Sequence, residues 1–146
     1  MKLSAFIVLS ISLITGCSRG PDASEVFAKS AELIDQYLHT NAVSAESVML
    51  QLEGYTRACE KAGYRGSASG DVPLDKAYAA VYSRLYLVEK ELGKKQEADQ
   101  HYAKAAERWR KVNAAEGKAQ TTVEEIRQLI EGVDGYLGTP EWKQGK

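Results

Sequence analysis

The sequence predicts an all-α fold of about five helices, arranged as antiparallel helical hairpins or as a small helical bundle. Apolar residues recur at spacings of three and four through most of the chain after residue 22, as they do on the buried stripe of a helix. Capping residues and glycines divide this pattern into five segments. No segment shows the sustained alternation of β-branched residues that is typical of strands.

The length of 146 residues accommodates one domain. The formal net charge of −1 gives no electrostatic reason to expect a nucleic-acid partner. We divide the chain into a leader over residues 1–16, an N-terminal segment with a short tether over 17–22, a helical domain over 23–134 and a C-terminal tail over 135–146.

The first residues have the order of a secretory leader. Lys2 provides a positive start, an apolar run extends from Leu3 to Ile14, and the small residues Thr15 and Gly16 precede Cys17. The apolar run is shorter than the roughly 20 residues that a bilayer-spanning helix needs. We therefore expect a cleaved signal peptide rather than a permanent transmembrane anchor.

The five residues from Leu13 to Cys17 resemble the lipobox of bacterial lipoproteins, in which an aliphatic residue and two small residues precede an obligatory cysteine. This resemblance implies attachment of lipid to the Cys17 thiol, cleavage before Cys17 and acylation (palmitate or a similar chain) of the new amino terminus. Two or more acyl chains give stable membrane anchoring. Ser18, in place of Asp, resembles an outer-membrane sorting signal and implies an outer-membrane lipoprotein that faces the periplasm.

The first two helices have recognisable start and stop signals. Asp22 followed three residues later by Glu25 starts a helix that should end near His39. Asn41 and Ser44 can cap the second helix, whose pattern should stop around residue 63.

Glycines and a proline mark the third and fourth helices. Residues 64–72 are predicted to form a loop, and Pro73 suits the first turn of a third helix. Gly93 separates the third helix from the fourth, which should end at Gly117.

A fifth helix is predicted near the end of the domain. Thr121 and Glu124 have the spacing of a capping box. The expected apolar stripe consists of Val123, Ile126, Ile130 and Val133.

Cys59 is the one thiol that remains after Cys17. It belongs to the predicted apolar stripe of the second helix, with Val48, Leu52, Tyr55 and Ala62. A buried, inert thiol is the favoured interpretation, and a reactive or intermolecular cysteine is the alternative.

The third and fourth helices resemble one tetratricopeptide repeat, a helical hairpin of about 34 residues. The resemblance covers residues 79–112 and implies that small residues allow the two helices to approach closely. The matching residues are Tyr82, Leu85, Gly93, Ala98, Tyr102 and Ala105.

Three residues depart from the repeat pattern. Tyr86 stands where the family has a small residue, Glu89 where it has an aromatic residue, and Arg110 where it has a closing proline. A generic antiparallel bundle with Ala and Tyr at its crossing is the alternative to a degenerate repeat.

The tyrosines of the third helix supply the candidate partner-binding residues. Each step of four residues drifts about 40° around a helix, so Tyr78 should be mostly buried and Tyr86 should reach the border beside Glu89. An aromatic ring with a polar tip at such a border can bind a partner or seal helix packing. The candidate partner-binding residues are Tyr82, Tyr86, Glu89 and Tyr102.

We find no catalytic motif, and we expect neither an enzyme nor a bound metal or cofactor. Glu97 and His101 are one turn apart, but nothing in the sequence completes a metal site, so a surface ion pair is expected. Lys104, Arg108 and Lys111 lie close on one helical face and are expected to be solvated.

These patterns predict a membrane-anchored protein-interaction module of the bacterial envelope, an adaptor or assembly factor whose partner is an envelope protein. One alternative is an envelope hydrolase or its ligand-binding accessory, which would require carboxylates that converge in a pocket. The other is a structural or immunity-type surface lipoprotein.

Overall fold

The computed structural model of the protein describes residues 20–39, 43–63, 72–118 and 120–135. These residues form five α-helices and no strand, which confirms the predicted all-α fold for this part of the chain. The leader, the lipobox-like segment with Cys17, and most of the C-terminal tail lie outside the described residues. The helices are α1 (Ala23–His39), α2 (Ala45–Ala62), α3 (Val72–Glu91), α4 (Lys95–Ala115) and α5 (Val123–Glu131).

Local capping interactions start the first two helices as predicted. The Asp22 N–H donates to Glu25 Oε2, and the Glu25 N–H donates to Asp22 Oδ1, both at 2.9 Å. These two bonds satisfy N–H groups that have no partner within the helix. The Ser44 hydroxyl accepts a backbone N–H from the first turn of α2 at 3.2 Å. Asn41 lies outside the described residues.

Glycines end three helices where the sequence predicts it. Gly63, Gly93 and Gly117 follow α2, α3 and α4 with φ values of 72°, 71° and 81°. A residue with a Cβ adopts this left-handed conformation at a cost, whereas glycine does not. The turn at Gly93 reverses the chain between α3 and α4.

The capping box of α5 lies one residue later than the sequence analysis predicts. The Thr122 hydroxyl accepts the Glu125 N–H at 3.2 Å, and the Glu125 carboxylate accepts the Thr122 N–H at 2.7 Å. The predicted box of Thr121 and Glu124 is wrong, because the Thr121 hydroxyl instead donates to a backbone carbonyl of the preceding turn at 2.9 Å.

The apolar stripe predicted for α5 is also partly wrong. Ile126 and Ile130 are buried as predicted, whereas Val123 is 70% exposed. Val133 lies beyond the last helical residue, Glu131.

α3 is the central helix and packs against each of the other four. It is buried around almost its whole circumference, as expected for a core helix rather than a surface helix. Tyr78 is fully buried, as predicted.

α4 runs antiparallel to α3. Asp75, near the start of α3, pairs with Arg108, near the end of α4. Ala98 and Ala105 of α4 are buried, and α4 packs extensively against α3, which fits a close approach of the two backbones. This packing is common to repeat hairpins and bundles, so the tetratricopeptide resemblance stays a prediction.

Cys59 is 4% exposed in the core, as predicted. Burial raises the pKa of its thiol because an apolar surrounding disfavours the thiolate. The neighbouring hydroxyls of Tyr55 and Tyr78 offset part of this rise in pKa. The thiol is therefore poorly reactive in the folded domain.

No helix within the described ranges is both long enough and apolar enough to cross a bilayer.

Candidate functional site

Two of the four candidate partner-binding residues form an aromatic pair at the surface. The rings of Tyr86 and Tyr102 meet edge to face, with centroids 5.2 Å apart and an interplanar angle of 63°. Both side chains are half-buried. The pair joins α3 to α4 and still presents part of each ring to solvent.

Charged groups flank this aromatic pair. The ammonium of Lys90 lies 5.6 Å from the centroid of the Tyr86 ring and 3.8 Å from a carboxylate oxygen of Glu131. The first contact is in the range of a cation–π interaction, and the second is an exposed ion pair. The surface therefore has an aromatic centre and a polar border that reaches the end of α5.

The other two candidates lie deeper than the sequence predicts. Glu89 is fully buried and Tyr82 is 4% exposed. The prediction that Glu89 flanks Tyr86 at an exposed border is wrong, because His101 of α4 draws the carboxylate inward. His101 Nδ1 lies 2.8 Å from both carboxylate oxygens of Glu89.

This pairing also corrects the expected ion pair between Glu97 and His101. The two residues are one turn apart on α4, but His101 faces the neighbouring helix and bonds Glu89 instead. A pairing rule based on spacing along one helix does not include partners supplied by another helix.

Tyr82 connects this buried pair to α2 and α4. Its hydroxyl donates to Glu60 of α2. Its ring lies nearly parallel to the His101 ring, at 14° and 6.0 Å between centroids. The Lys104 ammonium stands 5.3 Å from the centroid of the same ring. Side chains from α2 and α4 therefore converge on Tyr82 of α3.

The space above this convergence is a cleft of about 210 Å³, which we call the α2–α4 cleft. Its floor belongs to α3, and its walls belong to α2 and α4. It is lined by Glu53, Thr56, Arg57, Glu60, Tyr82, Leu85, His101 and Lys104.

Sequence analysis missed a second buried polar cluster, centred on Arg84. The side chain of Arg84 is fully buried, and its Nε and Nη2 donate to Asp134 Oδ1 at 3.0 and 2.9 Å. Its Nη1 donates to Ser30 Oγ at 2.6 Å, and the guanidinium lies 5.0 Å from the Phe27 ring centroid. Arg84 therefore joins α3 to α1 and to the turn after α5.

One signal in the sequence could have identified this cluster. Arg84 is the one charged residue between Ala77 and Val88. A charged side chain within such an apolar run is either exposed or paired. Its partner could not have been chosen in advance, because Asp134 is 50 residues away.

Another surface groove follows the turn between α4 and α5 and has a volume of about 710 Å³. The amide of Asn113 donates to the Thr121 hydroxyl at 3.0 Å, and Glu125 caps α5. These polar groups hold the turn in place. The groove is therefore a weaker candidate for a ligand site than the α2–α4 cleft.

Within the described ranges, no group of three or more His, Cys, Asp or Glu residues is arranged to hold a metal ion. A comparison of the chain with protein-family models, with curated proteins and with solved structures finds no match. The function is therefore argued from the residues themselves.

Proposed function

We propose that this protein is a lipid-anchored protein-interaction module of the bacterial cell envelope, an adaptor or assembly factor on the periplasmic face of the outer membrane. The lipobox-like segment that ends at Cys17 supports the anchor, and Ser18 supports sorting to the outer membrane. α1 begins at Ala23, so the tether of residues 18–22 spans about 17 Å when extended. The domain is thereby kept close to the membrane surface.

The half-buried pair of Tyr86 and Tyr102 is the observation that carries the proposed partner contact. Tyrosine is enriched in the cores of protein interfaces, because its ring buries a large apolar area and its hydroxyl can still form a hydrogen bond. The two rings hold each other in place, so a partner meets a surface that is already ordered. Lys90 and Glu131 provide the polar rim.

Site-specific crosslinking in intact cells tests this contact. A photoreactive amino acid at position 86 is expected to capture an envelope protein. The matched control position is Lys111, which is exposed and lies nine residues beyond Tyr102, about half a turn around α4. Absence of an adduct at position 86, or the same adduct at both positions, contradicts the proposed surface.

Two alanine variants then separate binding from packing. With the captured protein purified, Tyr86→Ala should weaken binding by about 2 kcal/mol or more, as truncation of an interface anchor does. Tyr78→Ala should instead lower stability by about 3 kcal/mol or more, because it removes a fully buried ring. If Tyr86→Ala unfolds the protein as severely as Tyr78→Ala, or binds as tightly as the parent, the tyrosine pair serves packing alone.

The anchor is tested independently by metabolic labelling with a radioactive or clickable fatty acid. Cys17→Ser should lose the label and accumulate as an unprocessed precursor, because a hydroxyl cannot form the thioether. Cys59→Ser is the matched control and should remain labelled, since Cys59 is buried in the domain. Unchanged lipid incorporation in Cys17→Ser removes the basis for the anchor.

A further inference from the structure

We propose that the α2–α4 cleft binds a small zwitterion, a free amino acid or a dipeptide. Its carboxylate lies against Lys104, and its ammonium lies against Glu60. This site is separate from the proposed partner surface, because Lys104 and Tyr102 lie about 200° apart around α4. The inference therefore goes beyond the function proposed above and does not depend on it.

The cleft is lined by charges of both signs, and carboxylates outnumber cations on its α2 wall. The α2 wall carries the carboxylates of Glu53 and Glu60, and the α4 wall carries the ammonium of Lys104 beside the imidazole of His101. Lys104 forms no ion pair with any residue in the described ranges. A ligand that carries both charges can bridge groups of opposite sign that border one cleft without pairing.

Arg57 refines the position of the ammonium. It lies on the α2 wall between the two carboxylates, and its guanidinium is 3.9 Å from Glu53. Glu53 is thereby partly neutralised. Glu60 is therefore the stronger acceptor for a cationic group on this wall.

Buried contacts hold the groups of the cleft in place before a ligand arrives. Glu89, fully buried, contacts His101 Nδ1 and thereby fixes the position of the imidazole ring at the edge of the cleft. The side chain of His101 is 16% exposed, so its ring borders the cleft without being free in solvent. Tyr82 is fixed by its bond to Glu60. Burial of the Glu89 carboxyl group costs free energy. An apolar side chain at this position would fill the same space at a lower cost.

The size and charge of the cleft restrict the ligand. A volume of about 210 Å³ is below the roughly 300–1,000 Å³ that is usual for drug-sized ligands. A free amino acid or a dipeptide is small enough to fit. A simple dianion would be repelled by the α2 wall, and a simple cation would be repelled by Lys104.

Isothermal titration calorimetry on the full chain tests the ligand class with four probes. L-Alanine and L-alanyl-L-alanine carry both charges, N-acetyl-L-alanine lacks the ammonium, and L-alaninamide lacks the carboxylate. At least one zwitterion should bind, and each blocked analogue should bind about tenfold more weakly or worse, because each loses a charged hydrogen bond. Tighter binding of L-alanine identifies the ligand as a free amino acid, and tighter binding of L-alanyl-L-alanine identifies it as a peptide.

Two results overturn the proposal at this stage. The first is that neither zwitterion binds at concentrations up to about 10 mM, well above the Kd of even a weak specific site. The second is that a blocked analogue binds as tightly as the zwitterion. In that case one wall of the cleft does not contribute to recognition.

One charge-removing variant on each wall tests whether both walls of the cleft contribute to binding. Lys104→Gln and Glu60→Gln should each weaken binding of the zwitterion about tenfold or more. Both side chains are exposed, so the melting temperature should change little. Lys111→Gln is the control, because it removes the same charge from α4 at a residue that pairs with Glu107 outside the cleft.

Two outcomes of these variants would contradict the proposed site. If Lys111→Gln weakens binding as much as Lys104→Gln, the effect is general electrostatics and the proposed site is wrong. Unchanged binding in both Lys104→Gln and Glu60→Gln overturns the site as well. Crosslinking from position 86 should persist in Lys104→Gln, so failure of this proposal is distinguishable from failure of the proposed function.

Discussion

Replacing Arg84 with methionine removes the guanidinium that joins three parts of the fold, while it keeps a long unbranched side chain. Arg84 is fully buried, and the Asp134 side chain that accepts two of its hydrogen bonds is 7% exposed. Asp134 would then keep a buried carboxylate without these donors. Removing one partner of a buried ion pair costs about 3–5 kcal/mol, so Arg84→Met should lower the free energy of unfolding by about 3 kcal/mol or more.

This loss is large enough to measure in a small domain. In a domain of about 100 residues, 1 kcal/mol corresponds to a change of about 4–8 °C in Tm. Arg84→Met should therefore lower Tm by about 12 °C or more. The double variant Arg84→Met with Asp134→Leu should recover most of the loss, because replacing a whole buried pair with apolar residues is often close to neutral. The Ser30 hydroxyl keeps a partner in both variants, since it also donates to the Phe27 carbonyl at 3.0 Å.

Urea and thermal unfolding of the full chain, followed by far-UV circular dichroism, provide the measurement. Arg127→Met is the matched control, because Arg127 pairs with Glu124 while 53% exposed. An exposed ion pair contributes about 0–1 kcal/mol, so this variant should unfold close to the parent. The reasoning is refuted if Arg84→Met costs no more than Arg127→Met, or if adding Asp134→Leu gives no recovery.

Three further predictions concern packing, thiol chemistry and capping. Ala98→Leu should lower the free energy of unfolding by about 1–3 kcal/mol, because the added volume overfills a buried helix crossing. The exposed control Gln100→Leu should lower it little. Equal shifts in melting temperature would contradict a crossing at Ala98. In a Cys17→Ser background, iodoacetamide should alkylate Cys59 much more slowly in the folded protein than in urea. The raised pKa of Cys59 leaves less thiolate at a given pH, so equal rates would mean an accessible, reactive thiol. Thr122→Ala should lower the free energy of unfolding by about 1 kcal/mol, because α5 loses its cap. Thr122→Ser should keep the cap and the stability. Equal loss of stability in both variants argues against the capping role.

Local interactions explain why the sequence was sufficient to predict the fold class and most helix ends. The bonds between Asp22 and Glu25 join residues three positions apart. The turn at Gly93 depends on the backbone freedom of one residue. Such features are fully contained in a short stretch of sequence. The α5 box was misplaced by one residue because Thr121 and Thr122 are the same residue type, and the competing bond of Thr121 decides between them.

The candidate surfaces were predictable to different degrees. Helical drift along α3 correctly places Tyr78 inside and Tyr86 at a border. The contact of Tyr86 with Tyr102 and the burial of Glu89 depend on how α4 packs against α3. Periodicity shows which face of a helix is buried, but not which polar group of a neighbouring helix meets it.

The sequence by itself thus determined five helices, the N-terminal caps of the first two and the apolar stripes of most of them, because these follow from contacts within one or two turns. The tertiary structure decided the polar interior. Arg84 meets Asp134 across 50 residues, and Tyr82 meets Glu60 across 22. A buried polar group must find a partner or lose the free energy of its hydration. Several carboxylates along the chain could satisfy Arg84 or Tyr82, and the packing of the helices around α3 selects the one that lies within reach.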